Sequence, residues 1–336
     1  MIKEAIEKVI HLQNLSESEM AEVMEEIIEG RASSAQIGSL LTGLRMKGET
    51  VAELTGAARV MRKHAVFIDA ASNNILDTCG TGGDKSNTFN ISTTVSFVAA
   101  GGGLIVAKHG NRSVSSTCGS ADLLEELGVN IQADSEIVEQ CIREIGIGFL
   151  FAPRVHGAMK YTTDLRREIG VRSIFNLLGP LTNPAGATCQ LLGVYASELT
   201  EVFANVLKNL GTKKALVVHG SDGLDEVTLC GETRITELSD GQIKTYNLNP
   251  RRFFEKTYSP EDFLGGNPPA NAQITRSILA GKQGAPRDIV LINASAALLV
   301  GGKVSNLKEG IKRAEEIIDS GQAEKKLQQL IELSNS

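Results

Sequence analysis

DTCGTGGDKSNTFNIST, running from Asp77 to Thr93, decides the fold of this 336-residue chain. Ahead of it stands a short apolar run, Ile75–Leu76, and inside it come Gly80, Gly82 and Gly83. At its end Asn90–Thr94 open a helical stretch. A strand, a glycine turn and a helix in that order belong to an α/β domain whose ligand loops lie at the carboxyl edge of the sheet. The glycines let the backbone turn sharply and approach an anion without a Cβ in the way. The helix N-terminus favours phosphate through its free N–H groups and its dipole. A second polar run, KHGNRSVSSTCG (Lys108–Gly119), follows the apolar Leu104–Ala107 and adds hydroxyls together with the charges of Lys108 and Arg112. Together the two runs read as a phosphate or diphosphate site.

Working outward, the same alternation continues on the C-terminal side. The apolar runs Ile147–Phe151, Leu191–Val194 and Ala215–Val218 are separated by helical stretches at Ser120–Leu127, Ser135–Ile145 and Glu198–Leu210. This pattern predicts a largely parallel central sheet. TRITELSDGQIKTYNL reads as a hairpin turning at Asp240–Gly241. From about Ala270 the chain reads as helices, except for Ile289–Ile292, which is strand-like or the start of a helix. On the N-terminal side the grammar is purely helical. Ser16 with Glu19, and Thr50 with Glu53, form capping boxes ahead of apolar stripes, and another helix runs from about Ser34 to Gly48. The prediction is a small all-helical domain over 1–68, joined by a helical segment at about 157–184, and an α/β domain made of 74–156 and 185–336.

Composition narrows the class. Hydrophobic residues make up 42% of the chain, aromatics 4%, and Trp is absent, while mean hydropathy is −0.03. These values describe a water-soluble globular protein with ample material for a core. A net charge of −6 and a pI near 5.6 weigh against a nucleic-acid partner. The five cysteines are scattered without a CxxC, which points away from a disulfide framework or zinc site and toward a reducing cytoplasm. The first residues, MIKEAIEKVI, are charged and amphipathic, unlike a signal peptide, and no apolar run reaches membrane-spanning length.

Single motifs are less specific than their sum. GTGGD lacks the GK[ST] of a Walker A loop and does not fit GxGxxG. Asp84 is either a solvated cap or an acceptor for sugar hydroxyls. Asp225–Glu226, in HGSDGLDEVT after the run Ala215–Val218, are adjacent carboxylates at a strand's end and suit Mg²⁺, which completes its shell with water and phosphate oxygens. Arg166 and Arg167 either face an anionic substrate or decorate a helix. His109, His156 and His219 each adjoin a glycine in loops after apolar runs, where polar side chains are often functional. Cys79 and Cys118 read as small packing groups.

As a set, GTGGD (Gly80–Asp84), NIST (Asn90–Thr93), KHGNRSVSSTCGSAD (Lys108–Asp122), RVHGAMK (Arg154–Lys160), LRREIGVRSIFNLLGPLTNP (Leu165–Pro184) and DGLDE (Asp222–Glu226) resemble the anthranilate phosphoribosyltransferases over nearly the whole chain. The resemblance implies a homodimeric glycosyltransferase of the pentosyltransferase kind, Mg²⁺-dependent, acting in tryptophan biosynthesis. It moves phosphoribose from phosphoribosyl diphosphate (PRPP) to the amino group of anthranilate at the hinge between the two domains. It implies PRPP contacts at Gly80, Gly83, Asp84, Thr88, Asn90, Ile91, Ser92, Thr93, Lys108, Ser116 and Ser120. Anthranilate contacts are implied at Gly80, Asn111 and Arg166, and magnesium ligands at Ser92, Asp225 and Glu226. An association with anthranilate synthase stays open; this sequence has no glutamine amidotransferase segment, so the link would run through a partner.

The chemistry expected of that family is electrostatic and positional, without a covalent enzyme intermediate. An aromatic amine is already neutral, so no catalytic base is assigned; His109 and His156 are candidates for taking the amine proton late. Two alternatives share parts of the motif set. A pyrimidine nucleoside phosphorylase shares KHGNR but needs no magnesium, and DGLDE counts against it. A non-enzymatic nucleic-acid-binding relative is opposed by the acidic pI and by the intact Asp225–Glu226 and Arg166.

Overall fold

In the computed structural model, residues 1–113, 117–157, 165 and 168–336 are described. The first four helices, α1 (Ile2–Ile10), α2 (Glu17–Ile28), α3 (Ser34–Lys47) and α4 (Val51–Lys63), form one bundle. The two capping boxes read from the sequence are present at Ser16 and Thr50, and Ser33 with Gln36 makes a third. Each puts a side-chain acceptor on a first-turn N–H and returns one to the cap residue, which is why these helices start where they do. The amphipathic MIKEAIEKVI segment is itself a helix of the bundle, burying Ile2, Ala5 and Val9.

Beyond the bundle the chain builds a seven-stranded sheet in the order β3-β2-β1-β4-β5-β6-β7. The strands are β1 (Ile75–Gly80), β2 (Ile105–Gly110), β3 (Ile147–Phe151), β4 (Cys189–Gly193), β5 (Lys214–Gly220), β6 (Thr233–Ser239) and β7 (Gln242–Leu248). β1 to β5 are parallel, while β6 and β7 run antiparallel as the expected hairpin. Its turn residues Asp240 and Gly241 both have positive φ, 50° and 74°, the conformation a two-residue hairpin turn of this hand requires. The ambiguous Ile289–Ile292 is not a strand: it lies inside the buried helix Ala285–Val300. A helix buried on nearly all sides has lost the polar stripe that would distinguish it from a strand.

The sheet divides the molecule by side-chain parity. Leu191, Leu216 and Val218 point into a core shared with helix α5 (Ile91–Gly101) and the C-terminal helices. Leu192, Val194, Ala215 and Val217 point the other way, into a core continuous with Phe203, Leu207 and the helical bundle. That second core also contains Ile174, Phe175, Leu177 and Leu178, so the segment after the 165–170 stretch packs with the bundle. The strand order runs outward from β1 in one direction and from β4 in the other. The crevice between their carboxyl ends is the topological switch point, where open α/β sheets bind ligands.

Candidate active site

At the switch point β1 ends in Gly80 and β4 in Gly193, and the two residues are paired in register. Across their ends lies Asp225. A Cβ on Gly80 would stand 2.5 Å from the Asp225 carboxylate, and one on Gly193 would collide with the Asp225 carbonyl. Neither strand can therefore end in a residue with a side chain if the 222–226 loop is to close over them. The Asp225 carboxylate accepts the Gly82 N–H at 3.0 Å, and the Thr81 N–H donates to Gly193 O at 2.9 Å. The loop that follows is a run of unusual backbone: Gly82, Gly83, Lys85 and Asn87 all have positive φ, from 54° to 74°. Such left-handed residues, alternating with right-handed ones, turn successive N–H groups toward one concavity.

Asp84 sits within this loop, accepting the Ser86 N–H at 3.3 Å and the Asp225 N–H at 3.4 Å. Helix α5 begins at Ile91, as the NIST run predicts. Its Ser92 N–H donates to Glu226 Oε1 at 3.0 Å, and its Ser92 carbonyl accepts the Thr78 hydroxyl at 3.0 Å. Lys108, near the end of β2, donates to the Thr78 carbonyl at 2.6 Å and reaches Ser92 Oγ at 3.5 Å. Gly80, Gly83, Asp84, Ser92, Lys108, Asp225 and Glu226 are thus one constellation. Thr88 neighbours it through Ser86 (Oγ to Oγ1, 3.3 Å), and Ser120 Oγ donates to the Asn111 carbonyl at 3.3 Å. Ile91 and Thr93 are buried, and the Ile91 N–H donates to Phe89 O at 2.8 Å.

Charge in this constellation is unbalanced. Burial, and then the charge of Asp84, push the Asp225 carboxyl up to about 7. Glu226 is pushed well above the usual carboxylate range by burial and by Asp225. The one ammonium between them, Lys108, is only 3% exposed and is itself driven down by burial, with Asp77, Cys79 and Glu226 opposing. Buried carboxylates in this state hold their charge only when a cation joins them. No three His, Cys, Asp or Glu side chains converge as a complete metal cage among the described residues. Two carboxylates and a hydroxyl are instead the partial donor set from which Mg²⁺ is held together with substrate oxygens.

Several expectations need correction or fall elsewhere. Arg112 does not offer its charge to the site: its guanidinium is bound by Asp122 (2.9 Å) and by both oxygens of Glu125 (2.7 and 2.9 Å). Asn111 is exposed at the end of β2, with its side-chain oxygen accepting the Arg112 N–H at 2.7 Å. His109 and His156 pack edge to face at 5.1 Å. Burial lowers them to about 3 and about 4, and the Nε2 of each is sealed from solvent, so both rings are neutral and inward-facing. Ser116 and Arg166 lie outside the described residues.

The structure also gives roles to two residues of the Leu165–Pro184 stretch that the sequence assigned to no contact. Arg172 donates to the Gly83 carbonyl and lies over the Tyr195 ring at 4.2 Å, clamping the glycine loop from the bundle side. Asn183 donates to buried Asp77 (2.8 Å) and to Ala107 O (2.8 Å), tying β1 to β2 beneath the site. A basic residue flanked by valine and serine, or an Asn before a Pro, carries no local signal of either role.

Comparison with known proteins agrees with this geometry. The family model described as "Glycosyl transferase family, a/b domain" matches residues 72–324, and that of its "helical bundle domain" matches residues 3–65. An anthranilate phosphoribosyltransferase of Desulfosudis oleivorans is 55% identical over 337 residues, covering 100% of this chain and 99% of the relative. The crystal structure of the Thermus thermophilus anthranilate phosphoribosyltransferase superposes with a TM-score of 0.93 at 41% identity, covering 99% of both chains. The Saccharomyces cerevisiae enzyme in complex with PRPP and Mg superposes with a TM-score of 0.91 at 29% identity, over 99% of this chain and 98% of that one.

Proposed function

The chain belongs to the glycosyl transferase family, among the anthranilate phosphoribosyltransferases, and from that premise we propose how its site divides the work. The reaction transfers 5-phosphoribose from PRPP to the amino group of anthranilate, giving N-(5-phosphoribosyl)anthranilate and diphosphate in tryptophan biosynthesis. The C1–oxygen bond to diphosphate breaks, a C1–nitrogen bond forms and the amine gives up a proton. The amine is neutral and nucleophilic at pH 7, so the barrier lies in separating diphosphate from a ribose ring gaining positive charge.

The observation that carries the reading is the convergence of the left-handed Gly82–Asn87 loop, Ser92, Lys108 and the Asp225–Glu226 pair at one switch point. Backbone donors of Gly80, Gly83 and the Asn90–Thr93 turn, with Thr88, Ser116 and Ser120, hold the phosphates. Lys108 keeps its charge beneath them, and Asp84 binds at the ribose side. Such donors stabilise charge as it grows on the leaving group, at no reorganisation cost. Ser92, Asp225 and Glu226 are the residues that would hold Mg²⁺; when bound, the ion neutralises the departing diphosphate. The raised carboxyls of Asp225 and Glu226 support that assignment, since a cation is what they lack. Asn111 and Arg166 orient anthranilate, Arg166 by pairing with its carboxylate. His109 and His156, neutral and inward-facing, do not serve as a strong base.

Closure of the bundle over the α/β domain excludes water from the bound pair. A second copy of the chain covers the bundle: Ile10, Leu12 and Met46 are 56%, 66% and 78% exposed there, unusual for such side chains. Among the described residues no helix is long and apolar enough to cross a membrane; we assign the protein to the cytoplasm. The test is anthranilate fluorescence, which should fall only when anthranilate, PRPP and Mg²⁺ are all present. No fall with folded protein, or phosphorolysis of thymidine, would overturn the reading.

A further inference from the structure

The segment Phe263–Asn271 belongs to none of the motifs, yet it is stitched to both ligand loops. The Phe89 N–H donates to Phe263 O at 3.1 Å, the Gly265 N–H donates to Asn87 O at 2.9 Å, and Thr88 and Leu264 form an antiparallel bridge between these bonds. On the other side, Thr117 Oγ1 donates to Gly266 O at 2.8 Å. At the end of the strap sits Asn271, 1% exposed, in the first turn of the helix Pro268–Leu279. Its Oδ1 accepts the Gly266 N–H at 2.7 Å and its Nδ2 donates to Asn90 Oδ1 at 2.9 Å. Asn90 then donates its own Nδ2 to Cys118 O at 3.0 Å. A relay of two amides thus links the strap, the start of α5 and the loop after β2.

Asn90 occupies the N-cap position of α5, where an Asn side chain ordinarily accepts an N–H of the first turn. Here it makes no such bond, and its ψ of 75° is off the extended value of the capped helices α2 to α4. Asn271 and Cys118 hold its two amide ends instead. The first N–H groups of α5 are met from outside the helix, Ile91 by Phe89 O at 2.8 Å and Ser92 by Glu226 Oε1 at 3.0 Å, and the relay joins the strap to Cys118 through Asn90.

We infer that Asn271 is a positioning residue for PRPP, acting through Asn90 to hold the two phosphate-binding loops at the spacing the substrate needs. The inference rests on the PRPP reading above. Without Asn271, Asn90 is free to turn back onto the first turn of α5, so the helix keeps its stability while the link from the strap to Cys118 is lost. This separates positioning from simple support of the fold.

The experiment compares Asn271→Leu with the wild-type enzyme by calorimetric titration of PRPP with Mg²⁺, by steady-state kinetics and by thermal melting. The expected result is a PRPP Kd and KM raised about tenfold, as for loss of the two buried hydrogen bonds by which Asn271 aligns the site. The KM for anthranilate should stay within about twofold and the melting temperature within a few degrees. Adding Asn271→Leu to Asn90→Ala should cost nothing further, because both act on one relay. If Asn271→Leu does not fold, Asn271→Asp, which keeps the acceptor for Gly266 and removes the donor for Asn90, is read by the same criteria. PRPP affinity within twofold of wild type, or equal rises in both KM values, would overturn the inference. Failure of the PRPP reading itself would appear earlier, as no PRPP binding by the wild-type protein.

Discussion

Two lysines in this molecule have buried side chains and live in opposite circumstances. Lys47, in the helical bundle, has its side chain buried and pairs at 2.9 Å with Glu53, whose side chain is fully buried. Its ammonium also donates to Asn14 Oδ1 (3.1 Å) and Gly48 O (2.7 Å), while Glu53 accepts the N–H groups of Leu15 and Thr50, both at 2.8 Å. Charge and hydrogen bonds close on themselves, and the pair locks two interhelix loops together. Lys108, also buried, faces Asp77 and Glu226 with Asp225 beyond, so that one cation serves several acids. A saturated buried pair is architecture. An unsaturated one is a vacancy for a charged ligand, maintained at the expense of the unliganded state.

The contrast would break first at the carboxylates. Asp225→Asn with Glu226→Gln should lower kcat/KM on the order of 10³-fold and flatten the magnesium titration. The melting temperature of the unliganded protein should not fall, because the two buried carboxyls lack a cation there and the amides keep their acceptors for Gly82 and Ser92. A normal magnesium response in kinetics would remove these residues as ligands. Glu53→Gln should do the reverse. Stranding Lys47 without its counter-ion should cost about 3–5 kcal/mol in urea unfolding, while KM values of the surviving folded enzyme stay unchanged. An undiminished unfolding midpoint would mean the bundle pair is not the lock described here.

The buried histidines sharpen the same point with pH. His109 and His156 have folded-state pKa values of about 3 and about 4, below the ordinary 6.5. Between those values and 6.5 the unfolded chain binds more protons, so stability falls as pH drops through 6.5. From pH 6.5 to about 5 each ring should remove roughly 2 kcal/mol. Chemical unfolding at several pH values reads this, and His156→Gln should make the slope shallower; an unchanged slope would mean the ring is already charged in the folded state. The smallest effect is expected at Arg112. Already bound by Asp122 and Glu125, it should tolerate Arg112→Gln with the PRPP KM moving less than about threefold. A tenfold rise would show that it leaves its acids for the substrate.

How much of this could be read in advance depended on how local the cause was. The strand, glycine turn and helix around Gly80, the capping boxes at Ser16 and Thr50, and the Asp240–Gly241 hairpin each have their reason within a few residues, and each stands where it was expected. The site's remaining features have distant reasons. Gly193 ends an apolar run without a motif, and its need for a bare Cα comes from Asp225, which folds across it. Arg112 looked like a phosphate ligand because its acids wait ten and thirteen residues further on, at the next helix. Arg172 and Asn271 act on loops from other parts of the chain, and Ile289–Ile292 was ambiguous because its helix is buried all round.

The central place of β1 also bears on how the protein is made. Its partner on one side, β2, follows within thirty residues, but its partner on the other side, β4, spans Cys189–Gly193. A chain still emerging from the ribosome with residues up to about 180 therefore carries the middle of its future sheet as an open edge. The unpaired N–H and C=O groups of Asp77 to Gly80 are then available to any passing strand. Only arrival of Gly193 closes that edge, and the crevice still waits for Asp225 and Glu226, which fold across it from further along the chain. The edge most open to aggregation is thus closed before the carboxylates that complete the site have been made.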